Sequence, residues 1–503
     1  MPISDIGLEA EFTFERDRTG AIVEPPFRIL MLGDWGGDAE KRPLAERKPI
    51  DIDRDNFDEI IARMKTRANL DFGDGQSLTL EFASLDDFHP DEIFRRVTMF
   101  SELRDMRKRL KSSDTFNSAA REARQVFGIK GSEPVVTASG VEEAPADNLL
   151  DAILSQPSGG AAAPKRGASG ELGNLVKELV RPHLVSVDED EQATLVSAVD
   201  AATSQLMRRI LHHRRFQELE AAWRGLFFLV RRAETSTDLK IYVLDASKDE
   251  IAGDLKSARD LTETIIHRVL VTDAIETPDA DPWAFVGGNY AFSPVVDDVA
   301  ALMRISKICA AANAPFVGHM RPDVLGVHSL HDHADPSEWK TGTDSDPAKL
   351  WFALRGQAES RYLGMTVPRF LCRLPYGAET DPLESFSFEE FDGEPTHDDY
   401  CWANSSFVSA MLHAQSYSES GWDGMGQRLL QDADGLPVHV YKSGGETIHK
   451  PCAEIQMTDT GVEKLMEFGL TPLISYRAAD RIKIARHQSI TDPPTALRGR
   501  WNS

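Results

Sequence analysis

The chain has 503 residues, 41% hydrophobic and 8% aromatic, with a formal charge of −25 at pH 7. The length points to roughly two to four domains, and the apolar content is that of a globular protein that buries real cores. The acidic balance excludes a nucleic-acid polyanion as the main partner and docking on an anionic membrane face, because there is no basic field to attract either.

In chain order, residues 8–15 alternate weakly between apolar and polar side chains and suit an exposed or edge strand. Residues 27–32 (FRILML) are an apolar run expected to form a strand buried on both faces. The run breaks at a turn cluster, Gly33, Asp34, Trp35, Gly36 and Gly37. Asp53 is placed to cap a helix carrying Phe57, Ile60, Ile61 and Met64 at helical spacing. Residues 78–82 read as a further strand. Residues 86–90 open a helix that holds Ile93, Phe94 and Val97 and runs on into the charged stretch 102–111.

Between about residues 131 and 170, small, polar and helix-breaking residues collect, too few of them apolar to offset the entropy of ordering. This segment reads as a flexible linker. A short apolar piece at 149–154 within it is either a docking helix or a transient one. Residues 171–233 read as almost wholly helical, interrupted at Pro182, with Phe216, Leu219, Trp223 and Leu226 forming one stripe. Residues 239–244, 284–290, 314–318 and 438–441 are short strands alternating with helices such as 295–312. The second half is therefore expected to be α/β around a mostly buried sheet. The resulting division is 1–130, a linker at 131–170, and 171–503.

The four cysteines, Cys309, Cys372, Cys401 and Cys452, show no CxxC or zinc-ribbon spacing and read as scattered thiols in a reducing compartment. The start of the chain is acidic and mixed, without the pattern of a secretory signal, and no stretch approaches about 18 uninterrupted apolar residues. A cytoplasmic protein without membrane insertion is expected. None of the motifs GxxxxGKS/T, GxSxG, HExxH or GxGxxG occurs. The turn at 33–37 has the look of a phosphate loop but lacks a following lysine and presents a carboxylate to any anion. His328, His331 and His333, with Asp332 and Asp335, could supply zinc ligands. Spacing alone fixes no tetrahedron, and a solvated polar loop is the better reading. Of His212 and His213, which diverge by about 100° on a helix, one is expected to pack and the other to be wet. Trp223, Trp283, Trp351 and Trp402 sit within mixed apolar patterns and read as core. No cofactor, metal or catalytic residue is assigned, and the chemistry offers no reason to read an enzyme.

The first half resembles the small sheath subunit of type VI secretion systems (TssB/VipA) through PFRILMLGDWG at 26–36, RKPIDIDRDNFDE at 47–59 and SLDDFHPD at 84–91. The second half resembles the large subunit (TssC/VipB) through ILHHRRFQELEAAWRGL at 210–226, NYAFS at 289–293 and ANAPF at 312–316. The same likeness continues in RYLGMTVPRFLCRLPYG at 361–377, WANS at 402–405, GLPVH at 435–439 and EIQMTD at 454–459. The resemblance implies an α/β sheath fold in which small-subunit-like and large-subunit-like halves share mixed sheets flanked by helices. It implies a structural component of a contractile sheath. The implied partners are other sheath subunits, an Hcp tube and a baseplate, with a ClpV-type AAA+ unfoldase as a further candidate. It makes the 8–15 strand (Glu9, Glu11, Phe12, Phe14) and the 47–59 element (Arg47, Lys48, Asp53, Arg54, Asp55, Asn56) the candidate interaction sites.

Two departures stand out. The family's large subunit continues past the region matching 482–488 to a strand that stitches units together, whereas here TDPP at 491–494 leads to Ser503 without an alternating apolar run, so strand augmentation between units is expected to be incomplete. The helical region after Arg95 is short for the outer, ClpV-facing domain. A non-polymerising sheath-like adaptor or regulator is the alternative reading, and a metal-dependent enzyme using the 328–335 loop ranks below both. A linker joining two partner halves holds them at an effective concentration of roughly millimolar. Cleaving the chain near Gly159 or Lys165 should therefore leave a complex that co-elutes on a sizing column. Separation of the pieces without denaturant would overturn this.

Overall fold

The computed structural model describes residues 24–73, 75–128, 191–342 and 344–502. The expected strand at 8–15, the linker at 131–170 and the helical start at 171–190 lie outside them.

The apolar run forms β1 (Phe27–Gly33), and β2 (Ile50–Ile52) follows the turn. Helix α1 (Phe57–Met64) buries Phe57, Ile60 and Ile61. Asp53 does not cap it directly. Its carboxylate accepts the N–H groups of Asp55 (2.9 Å) and Asn56 (3.0 Å), which orders the turn before the helix, and Asn56 occupies the cap position. A hairpin of β3 (Arg67–Gly73) and β4 (Gln76–Glu81) comes next. The single helix expected from residue 86 is instead two, α2 (Pro90–Arg96) and α3 (Thr98–Lys111), because Val97 adopts extended backbone between them (φ −77°, ψ 122°). Helix α4 (Phe116–Phe127) closes this segment.

The next described elements are α5 (Glu191–Leu211) and α6 (Arg214–Arg232). His212 and His213 fall at the break between them, not on one helix, and His213 Nδ1 accepts the N–H of Arg215 (3.2 Å) as the cap of α6. The expected stripe of Phe216, Leu219, Trp223 and Leu226 is buried on α6. The chain then alternates β5 (Leu239–Asp245), α7 (Lys248–Ser257), β6 (Phe285–Phe292), α8 (Val296–Ala312), β7 (Phe316–Met320), α9 (Asp346–Arg355) and β8 (Leu363–Val367). Short strands β9 (Phe370–Leu371) and β10 (Trp402–Ala403) pair with each other and lead into α10 (Ser406–Gln427). Then follow β11 (Asp432–Ala433), β12 (His439–Ser443), β13 (Glu446–Lys450), α11 (Asp459–Glu467), β14 (Thr471–Ser475) and β15 (Ile482–Ile484). The expected strand at 438–441 does not join the main sheet. It forms a separate hairpin, β12–β13, where only His439 and Lys450 are buried.

The main sheet has nine strands in the order β11-β15-β14-β8-β7-β6-β1-β5-β2. The strands from β14 through β5 are mutually parallel; β15 and β2 run antiparallel to them, and β11 pairs antiparallel with β15 at the edge. β1 is an interior strand whose two neighbours both come from beyond residue 190. It pairs with β5 along its whole length, from Phe27↔Leu239 to Gly33↔Asp245, and with β6 from Ile29↔Phe285 to Leu32↔Gly288. Its side chains alternate between two cores. Phe27, Ile29 and Met31 enter one, with α1–α6 and α10, while Leu30 and Leu32 enter the other, with α7, α8, α9 and α11. Packing across β1 is close. A Cβ at Gly287 would lie 2.4 Å from Met31 Sδ, so β6 needs glycine there.

The four tryptophans are buried as expected, and each indole N–H reaches a backbone carbonyl: Trp223 to Trp35 (3.0 Å), Trp283 to Val269 (2.8 Å), Trp351 to Phe468 (3.0 Å) and Trp402 to His397 (2.8 Å). Residues near the end of the described chain return to the core. Trp501 is buried, with its ring 5.0 Å from that of His413 on α10. No helix among the described residues is long and apolar enough to cross a bilayer.

Because β1 obtains both ladders, one covering layer and part of the other from residues beyond 190, residues 1–130 expressed alone should be insoluble or unfolded and be rescued by co-expressed 171–503. A soluble 1–130 fragment with a cooperative melt would contradict this.

Candidate functional site

The carboxyl ends of the parallel strands are where open α/β sheets gather functional side chains. Here the ends of β1 and β5 carry a dense ionic seam between the two segments. The turn after β1 depends on Gly37, which has φ +62° and would bring a Cβ to 2.3 Å from the Arg67 carbonyl. That turn aims the Trp35 and Gly36 N–H groups at Asp245 Oδ1 (2.9 and 3.2 Å), which also accepts from Lys41 Nζ (2.9 Å). Lys41 also pairs with Asp34, and Arg215 of α6 bridges Asp34 (3.0 Å) and Asp38 (2.9 Å). Asp34 therefore faces two cations of the chain itself, which accounts for a phosphate-loop-like turn built around a carboxylate.

Arg47 forms the second half of the seam. Its guanidinium grips Glu250 with two bonds (2.9 and 2.6 Å) and donates to the carbonyls of Asp245 (2.8 Å) and Arg42 (2.7 Å). Glu250 also closes a capping box on α7, accepting the Ser247 N–H (2.9 Å) while Ser247 Oγ accepts its own (3.2 Å). Burial alone would raise the Glu250 carboxyl, but these bonds and the charges of Arg47 and Lys41 outweigh it and bring it down to about 2. Asp38 is likewise lowered against burial by Arg215 and the Asn69 N–H.

The 47–59 element is thus divided. Arg47 is turned inward, and Asn56 is tied to its own loop by bonds to the Asp53 N–H (3.0 Å) and the Asp51 carbonyl (3.2 Å). Asp53 is half-buried in the turn. Lys48, Arg54 and Asp55 are exposed, with Arg54 donating to the Arg231 carbonyl at the end of α6. Beside the seam lies a groove of about 760 Å³ of mixed charge, lined by Lys41, Arg42, Lys48, Arg63 and Lys65 and also by Glu40, Glu46, Asp51 and Asp245. Glu9, Glu11, Phe12 and Phe14 lie outside the described residues. The seam partners Asp38, Lys41, Arg215, Asp245 and Glu250 were not singled out from sequence, and Asp34 was read only as the carboxylate of the 33–37 turn. The Ser247-to-Glu250 capping signature was readable, but its second role towards Arg47 joins residues about 200 positions apart.

The histidine loop does not converge on a metal geometry. His333 Nδ1 meets Glu338 (2.5 Å), His331 stacks on His397 with centroids 4.1 Å apart, and Asp335 accepts the Ser337 N–H (2.8 Å). Among the described residues no group of three potential ligands could hold a metal ion. His212 lies 3.6 Å from both Glu390 and Asp399, mostly buried, while His213 contacts the Asp71 carbonyl (3.1 Å) at the surface.

A mixed sheet completed by a strand from a separate sequence block, with an ionic seam at its end, defines a two-part structural module. The family model VipB (EvpB/VC_A0108, tail sheath N-terminal domain) matches residues 193–491, and the model for Type VI secretion system, VipA, VC_A0107 or Hcp2 matches residues 8–126. The chain belongs to the type VI secretion system sheath family and carries VipA and VipB domains in one polypeptide. It is 34% identical over 305 residues to the type VI secretion system sheath protein TssC1 of Pseudomonas aeruginosa PAO1, covering 60% of this chain and 61% of that protein. It is 33% identical over 158 residues to TssB1 of the same organism, covering 30% of this chain and 84% of that protein. The chain thus spans about 61% of the length of TssC1.

The depressed Glu250 carboxyl contributes stability that is present above its ordinary value near 4.5 and is lost as pH falls towards about 2. Glu250→Gln should lower the melting temperature at pH 7, and the gap to the unmodified chain should close between about pH 4.5 and pH 2. Melts across that range check it. A gap independent of pH would remove the Arg47 pair as the cause.

Proposed function

We propose that this chain pairs small-type and large-type sheath subunit segments in one polypeptide, stacking with further copies around an Hcp tube. The observation that carries this reading is β1, a strand of the VipA-type segment seated inside the sheet of the VipB-type segment. A pairing that shares one hydrogen-bonded sheet behaves as one mechanical unit, which suits a subunit that must transmit contraction. No residue carries a catalytic role in this reading. Residues 131–170 act as a tether between the two parts. The inward side of the 47–59 element holds the unit together, and its outward residues Lys48 and Arg54, with Arg42, Arg63 and Lys65 of the groove, face acidic surfaces of neighbouring sheath subunits, while Asp55 faces a basic group there. A baseplate and a ClpV-type unfoldase are the further partners of this role.

With −25 charges per chain, copies repel at low ionic strength and approach as salt screens them. Light scattering and negative-stain microscopy across a salt series test the proposal. Tubules or ring stacks that appear as salt rises, or when Hcp is added, are the expected result. Small particles under every condition, with Hcp present, would replace it with a non-polymerising adaptor.

A further inference from the structure

Two of the four cysteines, 29 positions apart in sequence, meet outside the seam. Cys372 directly follows β9 and Cys401 directly precedes β10, so the antiparallel register Leu371↔Trp402 places them opposite each other. The Cys372 N–H donates to the Cys401 carbonyl (3.1 Å), and the two sulfur atoms are 3.2 Å apart. Directly opposed residues on such a ribbon point to the same face with Cβ atoms about 5 Å apart, near the range a disulfide spans. The flanking residues hold this arrangement. Leu371 is fully buried and its N–H donates to the Cys452 carbonyl (2.7 Å), while Arg373 is locked between Glu220 (2.8 Å) and Glu390 (2.8 Å). Cys372 is half-buried and Cys401 is buried, so an oxidant reaches the pair through Cys372. Cys309 is buried on α8, and the Cys452 thiol is directed at the Ala479 carbonyl (3.2 Å), so neither shares this arrangement.

We propose that Cys372 and Cys401 are an oxidisable dithiol that closes to an intramolecular disulfide under hydrogen peroxide. The Cys372 sulfur attacks the peroxide O–O bond, becoming a sulfenic acid and releasing one water. The Cys401 sulfur then displaces that hydroxyl, which leaves as a second water with the Cys401 thiol proton. Two thiols give up two electrons, peroxide takes them, and one S–S bond is made. The hydrogen bond with the Cys372 thiol, then burial, hold the Cys401 proton firmly, and the Arg373 guanidinium opposes them by favouring the thiolate that the second step requires. The bond would fasten the two ends of the loop that carries Glu390 and Tyr376 of the buried ion network.

The full chain is treated with hydrogen peroxide, quenched, and labelled with N-ethylmaleimide in denaturant before intact-mass analysis and peptide mapping. Two labels instead of four, with a linked Cys372–Cys401 peptide that dithiothreitol separates, is the expected result. Four labels, sulfinic acid at Cys372 without a link, a link to Cys309 or Cys452, or a disulfide between chains would each overturn the proposal. Cys309→Ser, which leaves the pair untouched, should retain the link and give one label after oxidation. Cys372→Ser should lose it, and the mapping of the unmodified chain decides the question even where that variant folds poorly.

Discussion

Everything in this architecture rests on the fact that β1 cannot be a strand by itself. An isolated strand leaves a ladder of N–H and C=O groups open on each edge and, with this sequence, apolar side chains open on each face. Both ladders are met by residues beyond 190, from β5 and β6; α10 and α6 join α1–α4 on one face, and α7 and α8 cover the other. The helices repeat the pattern. α3 and α4 pack with α5, fastened by Arg107 to Asp200 (2.5 Å) and by Gln192 to the Leu110 carbonyl (2.7 Å). The two segments therefore share one sheet and the cores on its faces.

The distribution of charge follows from the same constraint. A chain with so large an acidic excess can bury carboxylates only where cations meet them. Arg373 lies between Glu220 and Glu390 in the interior, and Arg224 adds a bond to Glu220 (2.7 Å) and one to the Tyr376 hydroxyl (2.9 Å). Burial alone would raise the Glu390 carboxyl, but Arg373, His212 and the Tyr376 N–H bring it to about 2. Such fixed, multiply bonded charges specify geometry more than they add stability. At the seam they set how the turn after β1 docks on the end of β5.

Legibility from sequence tracked how local each cause was. The buried strand at 27–32, the stripe on α6 and the four core tryptophans were readable because a run, a 3.6-residue period and a large apolar ring each report burial directly. The break at Val97 was not, since no proline or glycine marks it and the apolar spacing continues through it. The separation at His212–His213 was hidden in the same way, within a pattern helical on both sides. The β12–β13 hairpin was misassigned because its short alternation matches a sheet strand, while what excludes it from the sheet is the lack of a neighbour. Arg47 and Asp53 stood out as a motif, yet their roles differ: Arg47 binds a glutamate on a distant helix, and Asp53 orders its own loop.

Sequence by itself determined the class of fold, the sheath resemblance of both segments and the apolar surfaces that had to be covered, because these depend on side-chain type and near-neighbour spacing. Tertiary structure alone decided that β1 lies between β5 and β6, that Asp34, Lys41, Arg47, Arg215, Asp245 and Glu250 form one seam, and that Cys372 faces Cys401. The physical reason is range. Strand order, ion pairing and thiol contact are relations between residues about 30 to 200 positions apart, and only the closing of two cores around one sheet brings such residues within a few ångströms.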